Sequence, residues 1–502
     1  MGIMTTRHTL VLLPMLTFAA CSDNSGGDLQ PLVPASITSA GGDGQSAPAG
    51  AALAQPLRVL VTDGAGNEAP GVAVTWAVTQ GGGTIPASST TGQDGVASAQ
   101  FILGPAAGEH LAQATVAGLA GSPVVFTATA EADPQGAGRL GVAGGGNNVS
   151  DRFSSDLWVH GSYAYTGTWG DRGAVGNMLK VWALGANGSP APASSVTVPG
   201  VGTVSDVQVS ADGQLLVLSG ERGTTGGIYL YSLANPASPA FLSSALVGQA
   251  GIHTVTLSDI NGRRYAFAAR NPGPGTGPSD DPALLIYDVT DPEAPTQVGR
   301  QAYPERDYGI HDTFVRDGIA FAFVWNNPGL VIYDVGNGIA GGSPSAPVEL
   351  SRLATATNGV CCGPSMHNGW WFHNPVSGER RYLFVGQEGA ATIGSNSSGD
   401  IHVVDVTDLR NPTEVAFFHL NGAGTHNFWM DEDRQILYAA YYNGGVVALD
   451  VSGTLSGNLA DRLISQVIPG GSGNTFTWGV QLANGFLYAS DMLSGLWQLT
   501  TE

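Results

Sequence analysis

The chain has 502 residues, of which 43% are hydrophobic and only 12% are charged, with 73 glycines and 29 prolines. This length exceeds one ordinary core, so we expect at least two domains. The apolar fraction excludes a disordered chain, and glycine and proline between short apolar runs favour strands and turns over helices. The formal net charge is −21 and Lys180 is the only lysine. Because nucleic acids and anionic lipid surfaces are bound by clustered cations, we expect neither as a partner.

The N-terminus has the pattern of a secretory signal. A basic start precedes the apolar run 10–20, which ends in small residues before Cys21. This ending resembles the lipobox of bacterial lipoproteins, which implies that residues 1–20 are removed and that Cys21 is acylated. Residues 21–31 would be a tether, and the protein would meet the membrane through its lipid anchor only. Ser22 favours, by the same resemblance, the outer membrane of a bacterial cell envelope; a plain signal peptide with an incidental cysteine is the alternative.

Two further cysteines, Cys361 and Cys362, are adjacent in the chain. Export places thiols in an oxidising compartment, where two neighbouring cysteines are not expected to stay reduced. We therefore predict a vicinal disulfide that locks a tight turn. A redox pair or a pair of soft metal ligands are the functional alternatives.

Residues 32–131 alternate between apolar and polar side chains and carry turn signals at short intervals. The segments 57–61 and 71–78 are two of the predicted strands, and Trp76 in the second is a candidate core anchor. About 100 residues of this kind are typical of a β-sandwich. The motif order VTDGAGNEAPGVAVTWAVTQGGGTI and then TTGQDGVASAQF resembles the bacterial Ig-like domain of the invasin type. The resemblance implies a stalk that holds another module away from the membrane.

From residue 151 to the C-terminus the chain repeats. An apolar strand ending in Asp-Val recurs at 284–289, 330–335, 401–406 and 446–451. Degenerate copies and the strands upstream of each copy complete seven units of four strands. Tandem four-stranded units without a helical period predict a β-propeller, here a seven-bladed one. Residues 132–150 are then a linker, in which 139–143 is a candidate strand that completes the last unit and closes the ring.

The Asp-Val strands resemble the LVIVD repeat of bacterial and archaeal surface proteins, most closely over residues 425–452. The patterns together predict an all-β protein, an Ig-like β-sandwich followed by a seven-bladed β-propeller over residues 151–502. The resemblance implies a location at the cell surface. It leaves the function open, because propellers host many unrelated activities.

Alignment of the seven units at the start of their first strands brings one residue from each unit to the mouth of the channel. These residues are Asp156, Asp206, His253, His311, His367, His426 and Trp478. Imidazole suits Zn, Cu, Fe or Mn, so the four histidines are candidate metal ligands. The two aspartates and the tryptophan are candidate ligand-binding residues. Strand alternation predicts that Asp312, Asn368 and Asn427, which follow three of the histidines, point to the other side.

Three readings of the histidines remain open: a bound metal, an empty polar binding ring, and a purely structural role. The leading hypothesis for function is a surface lipoprotein whose propeller head recognises or adheres to an extracellular or periplasmic protein, peptide or carbohydrate. The alternative is a metal-dependent oxidoreductase or hydrolase that uses the four histidines. The aromatic clusters 370–372 and 428–429 are predicted to pack between units, with the wall of a ligand site as the alternative.

Overall fold

The computed structural model describes residues 33–104, 108–131, 138–170, 172–185, 189–271, 282–303, 309–325, 329–355, 365–389 and 391–501. The predicted signal, the tether and all three cysteines lie outside these residues. The described chain is β throughout except for one 3-10 turn at Ala460–Arg462, so the all-β prediction is confirmed. No helix in this part of the chain is long and apolar enough to cross a membrane.

The first domain is a sandwich of two antiparallel-rich sheets. The three-stranded sheet has the order Pro34–Gly41, Leu57–Asp63, Val96–Ala99. The five-stranded sheet has the order Gln45–Pro48, Val124–Glu131, Gly108–Thr115, Ala73–Gln80, Ser88–Thr90, and a separate pair joins Gly83–Thr84 to Ile102–Leu103. Inward residues of both sheets fill one core, where Trp76 is 3% exposed and packs against Phe126 with ring centroids 6.0 Å apart.

The rest of the described chain pairs into seven units of four strands. The strands of unit 1 are Phe153–His160, Tyr163–Trp169, Met178–Ala183 and Ala191–Thr197. Those of unit 2 are Thr203–Val209, Leu215–Glu221, Gly226–Ser232 and Ala240–Gly248. Units 3 and 4 comprise Thr254–Ile260, Arg263–Arg270, Ala283–Asp288, Thr296–Ala302 and Ile310–Arg316, Ile319–Val324, Leu330–Asp334, Val348–Leu353. Units 5 and 6 comprise Met366–Trp371, Tyr382–Gln387, Ile401–Asp405, Thr413–Phe418 and Phe428–Asp431, Ile436–Ala440, Val446–Asp450, Leu463–Val467. A short strand, Gly457–Asn458, adds in parallel to the outer edge of unit 5.

Unit 7 is assembled from both ends of the domain. Its inner strands are Thr477–Ala483, Phe486–Asp491 and Gly495–Thr501, and the last of these pairs antiparallel with Leu140–Gly145. The sequence-based candidate 139–143 overlaps this closing strand. The first strand of each unit contacts the first strands of its neighbours, and that of unit 7 contacts that of unit 1. The first strands therefore form a closed ring, the arrangement of a β-propeller.

The Asp-Val repeat has a structural reason. The third strand of each unit lies inside its sheet with other units against both faces, so in Leu330–Asp334 every residue is buried. The aspartate ends the strand and its carboxylate accepts a backbone N–H from two residues further on, at 3.0 Å for Asp288, Asp334 and Asp405. Such a bond satisfies the turn backbone that leads to the fourth strand.

Candidate functional site

The first strands of units 1, 2, 4, 5 and 7 bulge where they line the channel. In unit 4, Ile310 pairs with Val324 and Asp312 with Phe323, so His311 is the extra residue. His367 is likewise extra in unit 5. A bulge breaks the alternation of side chains, and His311 and Asp312 both line the channel. The prediction that Asp312, Asn368 and Asn427 point elsewhere is therefore wrong, since all three line the same cavity.

Bulges of the same kind in units 1 and 2 show that the sequence alignment of these two units was shifted by one residue. Their bulged residues are Ser155 with Asp156 and Ser205 with Asp206. The serines hold the positions that correspond to the histidines, and the two aspartates lie one residue further along, at the level of Asp312. Asp156 and Asp206 still line the channel, but the sequence alignment placed them one residue out of register.

Four histidines from consecutive units lie in one continuous row, which we call the histidine tier: His253, His311, His367 and His426. Neighbouring ring centroids are 4.3, 4.1 and 3.9 Å apart along this row. All four are buried, and His367 is only 1% exposed. The tier spans units 3 to 6 at one level of the channel.

Two tryptophans close the row into a circle. Trp478 lies 4.2 Å from His426, and Trp169 lies 5.1 Å from Trp478, measured between ring centroids. Trp169 in turn meets His253 edge-on at 6.0 Å. Six aromatic rings thus surround the channel axis, and Trp478 belongs to the circle as a wall that contacts an imidazole.

A second set of residues, the upper tier, comes from the carboxyl ends of the second strands. It consists of Trp169, Glu221, Trp325, Glu388 and Tyr442, and sequence reasoning missed all five. Each contacts the histidine tier: Trp325 stacks on His311 at 5.2 Å and Tyr442 lies 4.9 Å from His426. The available signal was positional, because each residue ends the second strand of its unit or lies within two residues after it.

Two carboxylates of the upper tier reach the imidazoles. Glu221 Oε2 lies 3.1 Å from His253 Nδ1. Glu388 Oε2 lies 3.8 Å from the Nε2 atoms of both His311 and His367. His311, His367 and Glu388 each offer one ligand atom, and these atoms lie within 4.8 Å of one another. This trio is the candidate metal centre.

The electrostatics differ along the tier. Burial and the neighbouring imidazoles hold the pKa of His311 and of His426 well below the usual value, and burial lowers the pKa of His367 to about 3. Burial also disfavours the charged form of His253, but the Glu221 carboxylate outweighs it and raises the pKa of His253. Burial raises the pKa of Glu388 to about 7. Three imidazoles are therefore neutral, with free lone pairs, at pH 7.

Several nitrogens of the tier are left without partners. Neither ring nitrogen of His367 nor Nδ1 of His311 has a hydrogen-bond partner of normal geometry among the described residues. His426 Nδ1 donates to the Trp478 carbonyl oxygen at 2.6 Å, so its lone pair is on Nε2. Buried polar atoms without partners are costly, and a bound ligand would satisfy them.

Below the histidines lies the carboxyl tier: Asp156, Asp206, Asp312, Asn368 and Asn427. Asn427 Nδ2 donates to Asp156 Oδ1 at 2.8 Å, and the Asp206 carboxyl group acts electrostatically on Asp156. Asp156 keeps some exposure to the channel, yet desolvation and the Asp206 charge raise its pKa well above the usual value. Burial raises the pKa of Asp206 as well, and that of Asp312 to about 7. Burial and the proximity of these carboxyl groups therefore favour their protonated forms.

Glycine at position 479 makes this arrangement possible. Unit 7 lies between the units that carry Asn427 and Asp156, and a Cβ on Gly479 would lie 2.5 Å from Asp156 Oδ1. Because Gly479 has no side chain, the carboxylate passes over its backbone and reaches the amide.

Two residues beyond the carboxyl-tier position, the first strands of units 1, 4, 5 and 6 carry aromatic side chains that line the channel. Phe314, Trp370, Trp429 and Trp158 form an aromatic arc with centroid separations of 5.2, 5.2 and 6.0 Å. The predicted aromatic clusters thus divide. Trp370 and Trp429 line the channel, whereas Trp371 is packed in an apolar core. The whole channel encloses a cavity of about 220 Å³.

Comparisons with known proteins bear on the fold. Residues 42–129 match the family model of the bacterial Ig-like domain (group 1). No curated protein matches the chain. A functionally unknown protein from Desulfotomaculum acetoxidans DSM 771 is 13% identical, with a TM-score of 0.43 over 61% of this chain and 85% of that one. The Cps50 (Swd1) β-propeller domain from Myceliophteria thermophila is 12% identical, with a TM-score of 0.48 over 72% of this chain and 98% of that one.

The LVIVD resemblance of the repeats stays a prediction. The Ig-like match and the propeller-like fold fit a binding or adhesion role.

Proposed function

We propose that this chain is a binding protein whose propeller channel holds a divalent transition metal ion, Zn, Cu, Fe or Mn. The observation that carries the proposal is the convergence of His311, His367 and Glu388 on one buried point, with ligand atoms within 4.8 Å of one another. Two imidazoles and a carboxylate are a common ligand set for these metals.

The geometry needs little adjustment to accept an ion. Ligand atoms about 2.1 Å from a tetrahedral ion lie about 3.4 Å apart. The two Nε2 atoms are each 3.8 Å from Glu388 Oε2, so each of these two distances needs to shorten by only a few tenths of an ångström. The Tyr442 hydroxyl donates to Glu388 Oε1, which leaves Oε2 turned toward the imidazoles. Hydrogen bonds of this kind orient ligating carboxylates.

The protonation states also favour a cation. His311 and His367 are neutral, so their lone pairs need no deprotonation. Glu388, whose pKa burial raises to about 7, exchanges a proton for the ion. His426 Nε2 is the candidate fourth ligand, because the His426 ring lies 3.9 Å from that of His367. His253, paired with Glu221, is better placed to donate a proton to a ligand beside the ion.

The rest of the chain supplies a setting for such a head. An Ig-like domain precedes the propeller, and spacer domains of this type position a binding module. We propose that the acylated Cys21 anchors the protein to a bacterial envelope, and that the head meets a protein, peptide or carbohydrate outside the cell. The propeller then binds its partner near the channel that holds the metal.

Metal analysis and calorimetry on the purified full chain test the metal site. We expect one ion per chain after reconstitution with Zn, Cu, Fe or Mn. His367→Ala and Glu388→Gln should each lower the affinity about 100-fold, because each removes one of three ligands. His419→Ala is the matched control, since His419 bonds Asp400 outside the channel and should leave the affinity unchanged. Absence of a bound ion at neutral pH with all four metals would refute the proposal.

A metal-dependent oxidoreductase or hydrolase is the second candidate. The observation in its favour is that His311, His367 and Glu388 form a three-ligand set, which leaves a coordination position open when His426 does not bind, as catalytic metal sites require. Azide added to the Co²⁺-loaded protein would change its visible spectrum if such a position is exchangeable. An unchanged spectrum would remove the enzymatic reading and leave the binding role.

A further inference from the structure

We infer that the lower half of the channel, formed by the carboxyl tier and the aromatic arc, is a separate binding site for an organic ammonium group. This inference is independent of the metal proposed above, because it uses none of the proposed ligands. It gives the propeller a second site with its own ligand chemistry.

The two sets of side chains are neighbours because of strand geometry. Residues two positions apart on a strand point to the same face, about 7 Å apart along the chain. Asp312 therefore lies beside Phe314, and Asp156 beside Trp158, within one cavity. Asn368 and Trp370, and Asn427 and Trp429, repeat the arrangement in units 5 and 6. Each aromatic ring of the arc thus has a polar or acidic group directly above it.

The arc has the form of a cage wall. Neighbouring rings are inclined by 45°, 59° and 78°, so they curve around the channel instead of stacking flat. The orientation of Trp370 is fixed, because its indole N–H donates to Glu432 Oε1 at 3.2 Å. Arg316 holds Glu432 with two hydrogen bonds of 2.5 and 3.1 Å. Rings that are held in place and partly exposed can contact a ligand without reorganisation.

The ionisable groups of the cavity favour a cation, because a bound positive charge stabilises the ionised form of its aspartates. Asp156, Asp206 and Asp312 line it, and no lysine or arginine is among the described residues that line it. An ammonium group is attracted to the faces of aromatic rings and to carboxylates, and both surround this space.

A diffuse organic cation fits better than a second metal ion. Asp206 already accepts backbone N–H bonds on both oxygens, from Val207 at 2.7 Å and from Val255 at 2.6 Å. Asp312 also accepts a backbone N–H bond, from Thr313 at 2.7 Å. These carboxylates have few lone pairs left for direct metal ligation, but their charge still acts at a distance. The channel cavity of about 220 Å³ accepts a small ammonium head.

Calorimetric titration of the full, metal-free chain with choline tests the inference. We expect saturable binding, and at least 10-fold weaker binding of 3,3-dimethyl-1-butanol, the uncharged analogue of the same shape. Equal affinity for the two compounds would overturn the proposal, because it would show a merely apolar pocket. Absence of choline binding together with absence of binding to the peptide described below would also overturn it.

Variants assign the binding to the arc. Trp429→Ala should weaken choline binding about 10-fold, and Trp429→Phe should restore most of it, because phenylalanine keeps a ring face. Phe241→Ala is the control, since Phe241 is 58% exposed on an outer strand. Asp156→Asn keeps an acceptor for Asn427 but removes a carboxyl group that ionises against a bound cation, and it should weaken choline binding without affecting the uncharged analogue. Unchanged binding in Trp429→Ala would place the ligand elsewhere and refute the assignment.

Two further experiments identify the source of the ammonium group and separate this site from the metal site. A short peptide with trimethyllysine carries the same ammonium group on a protein side chain. Tighter binding of the peptide than of choline identifies a protein side chain as the ligand. Tighter binding of choline than of the peptide identifies a free small molecule. His367→Ala should bind choline as the parent does while losing metal. Failure of the metal proposal is thereby distinguishable from failure of this one.

Discussion

The Ig-like domain and the propeller channel differ in how many polar groups they bury. In its described residues the Ig-like domain buries only Thr91 and His110 among polar side chains, around a core of alternating apolar residues. Thr91 donates to the Ala69 carbonyl oxygen at 2.6 Å and accepts from Val72 N–H. The channel buries four histidines together with Asp206 and Glu221. Four of their polar atoms have no hydrogen-bond partner among the described residues, namely Glu221 Oε1, His311 Nδ1 and both ring nitrogens of His367, against one such atom, His110 Nε2, in the Ig-like domain.

Because of this difference, the buried groups of the two regions contribute differently to the free energy of folding. A sandwich core gains free energy from apolar area and needs no ligand. Buried polar atoms without partners cost free energy, and such a cost is typical of sites shaped for a ligand. We therefore expect a ligand-binding site along the propeller axis, and a spacer role for the Ig-like domain.

The largest effect is expected for Trp76→Ala in the Ig-like domain. Loss of this buried ring, which also donates to Ser89 Oγ at 2.9 Å, should lower the free energy of unfolding of that domain by about 3–5 kcal/mol. Differential scanning calorimetry should show one transition shifted to lower temperature. Metal affinity should stay within two-fold of the parent. An equal loss of metal affinity would break the separation between the two regions.

A smaller effect is expected for Gly479→Ala in the channel. The added Cβ would lie 2.5 Å from Asp156 Oδ1 and should break the bond from Asn427. Leaving that buried amide unpaired should destabilise the propeller by about 1–3 kcal/mol, measured by urea unfolding. Gly173→Ala is the matched control, because its nearest neighbour would be an ordinary contact at 3.4 Å. Similar losses in both variants would contradict a specific role of the Asp156 pair.

Asp334 provides the acid dependence of the propeller. Burial alone would raise the pKa of Asp334, but backbone N–H groups of the following turn, including those of Ala340 and Gly342, lower it to about 2. Its ordinary value is 3.8, so the stabilisation is complete above about pH 4 and is lost as the pH falls toward 2. Asp334→Asn should cost about 1–2 kcal/mol at pH 7, and this difference should shrink at pH 2–3.

Urea unfolding of parent and Asp334→Asn at pH 7, 4 and 3 measures this difference. A difference that stays constant over the three pH values would show that the turn does not depend on the ionised carboxylate.

The smallest effect on stability is expected for His367→Leu. This variant tests most directly whether a buried channel imidazole serves a ligand or the fold. Replacing an imidazole with two unpartnered nitrogens by an apolar side chain should leave the stability of the metal-free protein unchanged or raise it by up to about 1 kcal/mol. Metal binding should be lost in the same variant. Thermal unfolding with and without metal measures both, and a large destabilisation without metal would indicate a purely structural histidine.

Part of the site could be predicted from sequence because the propeller repeats. His253, His311, His367 and His426 recur at the same place in consecutive units, and a ring of first strands brings such positions together. Glu388 was missed because the upper tier has no common residue type; Glu221, Trp325 and Tyr442 occupy similar positions. The register of Asp156 and Asp206 was missed because a bulge changes alternation without leaving a mark in composition.

The sequence by itself determined the all-β class, the Ig-like segment and the tandem four-stranded repeats, since these depend on local alternation, turn residues and period. Only the tertiary structure decided which side chains meet. The Glu388 carboxylate and the His311 imidazole are 77 positions apart in the chain, and Asp156 and Asn427 are 271 apart. Contacts of this kind follow from ring closure, from the bulges in the first strands and from the space that Gly479 leaves, none of which is a local property of the chain.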